Sequence, residues 1–172
     1  DIDAHSKTSV WGLAGVGASA QSRATLTSDE DIHLDDRSTV RANGYLRGYA
    51  GYYSLPNTLD VLAKADIYNN TLIAVNSGEK ADARLYHDVV ITVDNDAKMQ
   101  SARHMTLRAT KGNRNVYGDG YAKWLIFILF GVIPVDKDFG SSTNSASANV
   151  TIDGKLETGV FNEQFVGFGT DF

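Results

Sequence analysis

Three segments of this chain repeat at one fixed spacing, and that spacing limits the possible folds more than any other feature. Ile32-His-Leu34-Asp35 resembles Ile91-Thr-Val93-Asp94, and both resemble Val150-Thr-Ile152-Asp153, with positions 32, 91 and 150 separated by steps of 59 residues. The flanks agree for the first pair: Val40 matches Met99, Leu46 matches Met105, and Ala50 matches Ala109. Self-similarity at a fixed period marks a supersecondary unit that buries its apolar face by stacking on its neighbours.

Parity provides an independent check. Between positions 18 and 50 the odd positions are polar or Tyr, while the even ones carry small and apolar residues such as Ala24, Leu26, Ile32, Leu34, Val40 and Leu46. This period-2 alternation is the signature of strands with one buried face. An odd repeat length must switch the buried parity at each copy, and it does. Ala83, Leu85, Val89, Ile91 and Val93 are odd, whereas Ala146, Ala148, Val150, Ile152 and Leu156 are even again. Leu156 falls two positions short of the spacing, which predicts a shortened corner in the third copy.

One straight strand of about 30 residues would exceed roughly 90 Å, whereas ordinary strands have about 3 to 10 residues. The chain must therefore turn corners while keeping its inside and outside. The expected fold is all-β, a parallel β-helix over residues 1–172 with about three related repeats. Each repeat is expected to hold three coils of about 20 residues or two of about 30. The rival fold is an antiparallel sandwich or barrel with hairpins at Asn43-Gly44, Asp119-Gly120 and Asp153-Gly154. No capping helix is evident, so the open edges point to a segment of something longer or to a stacking subunit.

Composition removes several function classes. The net charge of −5 disfavours a general nucleic-acid binder. The absence of cysteine excludes disulfides and thiolate chemistry. The longest apolar run, Trp124 to Val135, is shorter than the roughly 20 residues of a membrane-spanning helix. The chain opens in strand-like alternation without an initiator Met, the expected look of a mature or excised piece.

In the first copy a glycine-containing stretch, Trp11-Gly-Leu-Ala-Gly-Val-Gly17, precedes a small-residue alternation from Ala18 to Leu26, then Ile32-His-Leu34-Asp35 and Val40-Arg-Ala42. This succession resembles the repeats of giant filamentous bacterial exoproteins, the filamentous-haemagglutinin-like and leukotoxin-like proteins of two-partner secretion. The resemblance implies a right-handed β-helix, an extracellular or cell-surface location, and adhesion or biofilm scaffolding. Implied partners are neighbouring coils of the same or identical chains, and host-cell or matrix surfaces, glycans included. Two departures stand out: the glycine-rich stretch becomes Thr71-Leu-Ile-Ala-Val75 in the second copy and Trp124-Leu-Ile-Phe-Ile-Leu-Phe130 in the third.

Several residues invite a chemical role. Asp35, Asp94 and Asp153 recur at the corner, as calcium ligands or as turn formers. With three coils per repeat they would lie roughly 14 Å apart, too far to share an ion at about 2.4 Å per ligand. Asp29-Glu30-Asp31 with Asp35-Asp36 lacks EF-hand spacing and reads as a charged corner. His5, His33, His87 and His104 show no metal-ligand spacing, and His87 falls on the buried parity.

The glycines from Gly12 to Gly17 lack the Lys-Ser/Thr of a phosphate-binding loop and read as close packing. Carboxylates are plentiful, which keeps a polysaccharide-degrading β-helix as an alternative. A self-assembling extracellular filament subunit is another. No catalytic residue, metal or cofactor is expected. The apolar stretch from Trp124 to Val135 is apolar on both parities; it is either a strand covered by the loop 136–144 or a partner-facing strip carrying Trp124, Phe127 and Phe130. Tyr45, Tyr49, Tyr52, Tyr53 and Tyr68 lie on or near outward positions that could stack on sugars. Asn69-Asn-Thr71 and Asn149-Val-Thr151 match the glycosylation pattern.

Overall fold

The computed structural model describes residues 1–51, 58–128 and 131–159. Among these residues the protein is all-β, without a helix. The first repeat forms β1 (Ile2–Ala18), β2 (Gln21–Leu34), β3 (Thr39–Ala42) and β4 (Leu46–Gly51). The second forms β5 (Thr58–Asn76), β6 (Lys80–Val93), β7 (Lys98–Ser101) and β8 (Met105–Thr110). The third forms β9 (Asn113–Ile128), β10 (Gly131–Phe139), β11 (Ser141–Ile152) and β12 (Lys155–Thr158).

Corresponding strands of successive repeats lie side by side. The sheet orders are β1-β5-β9-β10, β11-β6-β2, β12-β7-β3 and β4-β8. Ile2 pairs with Val61, Val40 with Met99 and Leu46 with Met105, all in parallel strands. The 59-residue period is thus the step from one strand to its neighbour. This corrects the expectation of two or three coils within each repeat. The error came from assuming short sides: β1, β2 and β5 run for 17, 14 and 19 residues. Alternation along such strands breaks only at a few corners. The Asn43-Gly44 and Asp153-Gly154 pairs link strands of different sheets, and Asp119-Gly120 lies inside β9, so none is a hairpin turn.

The shortened corner of the third repeat is present. In the first two repeats the Ser38 N–H donates to Asp35 O and the Ala97 N–H to Asp94 O, both at 3.1 Å. The residues before those donors, Arg37 and Asp96, have φ of 61° and 62°, the left-handed region that a tight turn demands. The third repeat reaches β12 without such an insertion, so that Leu156 pairs with Met99, 57 residues away.

The described chain divides into two compact units, one of residues 1–27, 58–86 and 113–145, the other of 28–57, 87–112 and 146–172, whose parts at 52–57, 129–130 and 160–172 lie outside the described residues. The core of the first is rich in alanine: Ala18, Ala20, Ala65, Ala81 and Ala122 surround Ile67, and Ala24, Ala63 and Ala83 surround Val61 and Leu85. Small side chains let opposed backbones approach closely. Gly118 shows how closely, since a Cβ there would collide with backbone atoms of Ser141 and Ala81. The second unit is filled by bulkier groups, Val89 and Ile91 with Leu107, and Val93 and Met99 with Met105. Burial of each branched side chain contributes roughly 1.5–3 kcal/mol.

The apolar run from Trp124 to Val135 folds back on itself. Strand β10 is antiparallel to β9, with Val135 opposite Trp124 and Val132 opposite Phe127. Trp124 is half-buried against the alanine cluster, while Ile126, Val132 and Ile133 are exposed. Phe130 and the side chain of Phe127 lie outside the described residues. No helix among the described residues is long and apolar enough to cross a membrane.

Candidate functional site

The one-strand repeat brings together residues that are far apart in sequence. His33 sits near the end of β2, Asp35 opens the following corner, and Asp94 opens the corresponding corner after β6. The Asp94 N–H donates to Leu34 O at 2.9 Å, which fixes the two corners against each other. His33 Nε2 donates to Asp94 Oδ2 at 2.8 Å and lies 3.8 Å from Asp35 Oδ1. One ligand atom from each of the three residues falls within 4.8 Å of the other two. The hydrogen bond to Asp94 raises the His33 pKa above its ordinary 6.5, and the charges of Asp94, Asp35 and Asp31 add to the effect against partial desolvation.

The estimate of roughly 14 Å between the corner aspartates therefore fails, because it assumed several coils per repeat. One repeat separates neighbouring strands, so Asp35 and Asp94 take equivalent places on adjacent ones. The sequence signal was available: 33 and 94 differ by one repeat and two residues along the same face.

A second charged group surrounds Asp82 in the other unit. Its position carries the outward parity, yet its side chain is only 3% exposed. Arg84 Nη2 lies 2.8 Å from it, Arg23 Nε 3.2 Å and Lys80 Nζ 3.4 Å, and the Ser141 hydroxyl is 3.3 Å away. The Arg84 hydrogen bond, with the positive field of Arg84 and Lys80, lowers the Asp82 pKa to about 2. A carboxylate held charged by three cations is a structural clamp across β2, β6 and β11.

The remaining candidates separate clearly. His87 is buried and its Nδ1 lies 3.1 Å from Ser28 O. His5 Nε2 is 3.4 Å from Asp66. Asp29, Glu30, Asp31 and Asp36 are exposed. Gly15 is buried against the side chains of Asn69 and Thr71, where a Cβ would collide with both. Asn69 is itself fully buried, its amide donating to Gly15 O at 2.8 Å, so its glycosylation pattern is inaccessible in the fold.

Tyr45 is 52% exposed and has Arg47 and Arg103 over its ring at 5.5 and 5.8 Å, with His104 at 5.6 Å. Tyr68 contacts Tyr121 at 5.9 Å and Lys7 at 5.1 Å. Tyr49 is half-buried, and Tyr52 and Tyr53 lie outside the described residues. Along the third repeat, Met105, Leu107, Val150, Ile152, Leu156 and Thr158 line an open apolar pocket of about 400 Å³.

Compared with known protein families, curated proteins and solved structures, the chain matches none.

Proposed function

We propose that this chain is a scaffold segment of a secreted bacterial surface protein, a right-handed parallel β-helix that spaces or presents adhesive elements outside the cell. The observation that carries this reading is the repeat register. Residues 59 apart pair in parallel strands in three separate sheets, so the second repeat lays its strands beside those of the first. Such an architecture lengthens without new folding rules, which suits a spacer. The exposed Tyr45 with its flanking arginines supplies an aromatic, cationic surface suited to stacking on acidic sugars. The single buried carboxylate of Asp82 is engaged by Arg23, Lys80 and Arg84, an arrangement that suits a scaffold better than a hydrolase.

The test is native mass and exposure. Antibodies to this chain should label intact source cells or the culture medium, on a polypeptide well above 18.6 kDa. Retention of the chain inside the cell would overturn the proposal.

The third-repeat edge, which the described residues leave uncovered, supports a second reading, a self-assembling filament subunit. Val150, Ile152 and Leu156 are 39–41% exposed although they carry the inward parity. That reading expects a native mass near 18.6 kDa and concentration-dependent association.

A further inference from the structure

We propose that His33, Asp35 and Asp94 form a binding site for one divalent transition-metal ion of the zinc class, which ties the first repeat to the second. The three donors come from two adjacent strand ends whose backbones are fixed by hydrogen bonds, Asp94 N–H to Leu34 O and Ser38 N–H to Asp35 O. An ion held at about 2.0–2.2 Å by each ligand places its donors roughly 3–4 Å apart. His33 Nε2 lies 2.8 Å from Asp94 Oδ2 and 3.8 Å from Asp35 Oδ1. All three donor atoms fall within 4.8 Å, so small rotations of the exposed His33 and Asp35 side chains toward the half-buried Asp94 complete the set.

The donor chemistry selects the metal. One imidazole nitrogen and two carboxylates suit zinc and its neighbours, with water in the remaining positions. Calcium prefers six to eight oxygens, and this corner offers a nitrogen and few oxygens. Electrostatics favours a cation as well. Two carboxylates at equivalent positions on adjacent strands repel one another, and a divalent cation between them relieves that repulsion.

The site is single. The next corner presents Asp94 and Asp153, but the place of His33 is taken by Thr92, which has no imidazole. The ion would therefore bind once per chain, bridging the first two repeats.

The experiment is calorimetric titration of the full chain with ZnCl₂, paired with CoCl₂ absorbance to report coordination. The expected result is saturation at one ion per chain, insensitivity to a CaCl₂ excess, and a rise in Tm with zinc. His33→Gln and Asp94→Asn should each weaken binding roughly tenfold or more. His5→Gln, which alters a histidine in the other unit, should leave binding unchanged. Circular dichroism of each variant separates lost ligands from lost fold. If a variant unfolds, zinc protection of His33 from diethyl pyrocarbonate in the unaltered chain gives the same answer. Absence of saturable binding, equal loss in His5→Gln, or unchanged affinity in a folded His33→Gln would each overturn the site.

Discussion

Strand β6 and its neighbour β11 carry the same pattern but lie in different surroundings. In β6, Leu85, Val89, Ile91 and Val93 are at most 1% exposed. In β11, Val150 and Ile152 hold the places of Ile91 and Val93 one repeat later, and each is 41% exposed. The first-repeat equivalents, Ile32 and Leu34, are intermediate. Sequence pattern alone therefore does not decide burial. A central strand has a neighbour on each side whose side chains close over its own, and an outer strand has a neighbour on one side only. The inward face of β11 is built for a cover that the described residues of this chain do not supply.

This contrast can be broken most severely in the core. Ile91→Ala should destabilise by about 2–5 kcal/mol, the range for truncating a buried branched side chain. Val150→Ala, one repeat later, should cost about 1 kcal/mol or less, because its side chain keeps much of its contact with water. Urea denaturation of the two variants checks the order. Equal losses would mean that the outer strand is as well covered as the central one.

Charge clusters sharpen the comparison next. Asp82, on the central strand, has cations contributed by the first and second repeats, whereas Glu157, on the outermost strand of its sheet, relies on Lys155 and Gln100. The Asp82→Asn variant should lower Tm by several degrees, and Glu157→Gln should lower it less. Acid titration carries the same signature. The Asp82 pKa falls from 3.8 unfolded to about 2 folded, so its stabilisation is present above about pH 4. It should disappear as pH falls through 2, and Asp82→Asn should remove that part of the acid transition.

His33 has the opposite sign. Its folded pKa is raised by Asp94, so its contribution is complete below the unfolded value near 6.5 and is lost as pH rises through the folded one. The exposed site makes this a small slope. In metal-free buffer, thermal melts of the unaltered chain and of His33→Gln should diverge below that range and converge above it. Amide hydrogen exchange provides the mildest probe: protection should be highest in β6 and lower in β11, since an edge strand opens at less cost.

Much of this fold was legible in the residues. The parity switch fixed which side chains face inward, and Leu85, Ile91 and Val93 are buried as it requires. The two-residue deficit before Leu156 located the shortened corner. What the pattern left open was the number of coils per repeat, because alternation continues unchanged along a long strand and across a gentle corner. That ambiguity hid the site as well. The meeting of His33 with Asp94 follows only when one repeat equals one strand step. Asp82 was hidden for another reason: its parity is outward, and its burial comes from Arg23, Lys80 and Arg84 closing over it. The hairpin of β9 and β10 was obscured because an apolar run on both parities carries no directional signal.

The central claim is that residues one repeat apart are direct neighbours. The chain has no cysteine, so introduced pairs report cleanly. Thr39 pairs with Lys98, and Arg47 with Thr106, all four on exposed positions. Neighbouring strands lie about 4.8 Å apart, within reach of a disulfide. Mild oxidation of Thr39→Cys/Lys98→Cys and of Arg47→Cys/Thr106→Cys, read by non-reducing electrophoresis, should give an intramolecular cross-link in both double variants. Failure of both pairs to cross-link in folded protein would contradict the one-strand repeat and the site built on it.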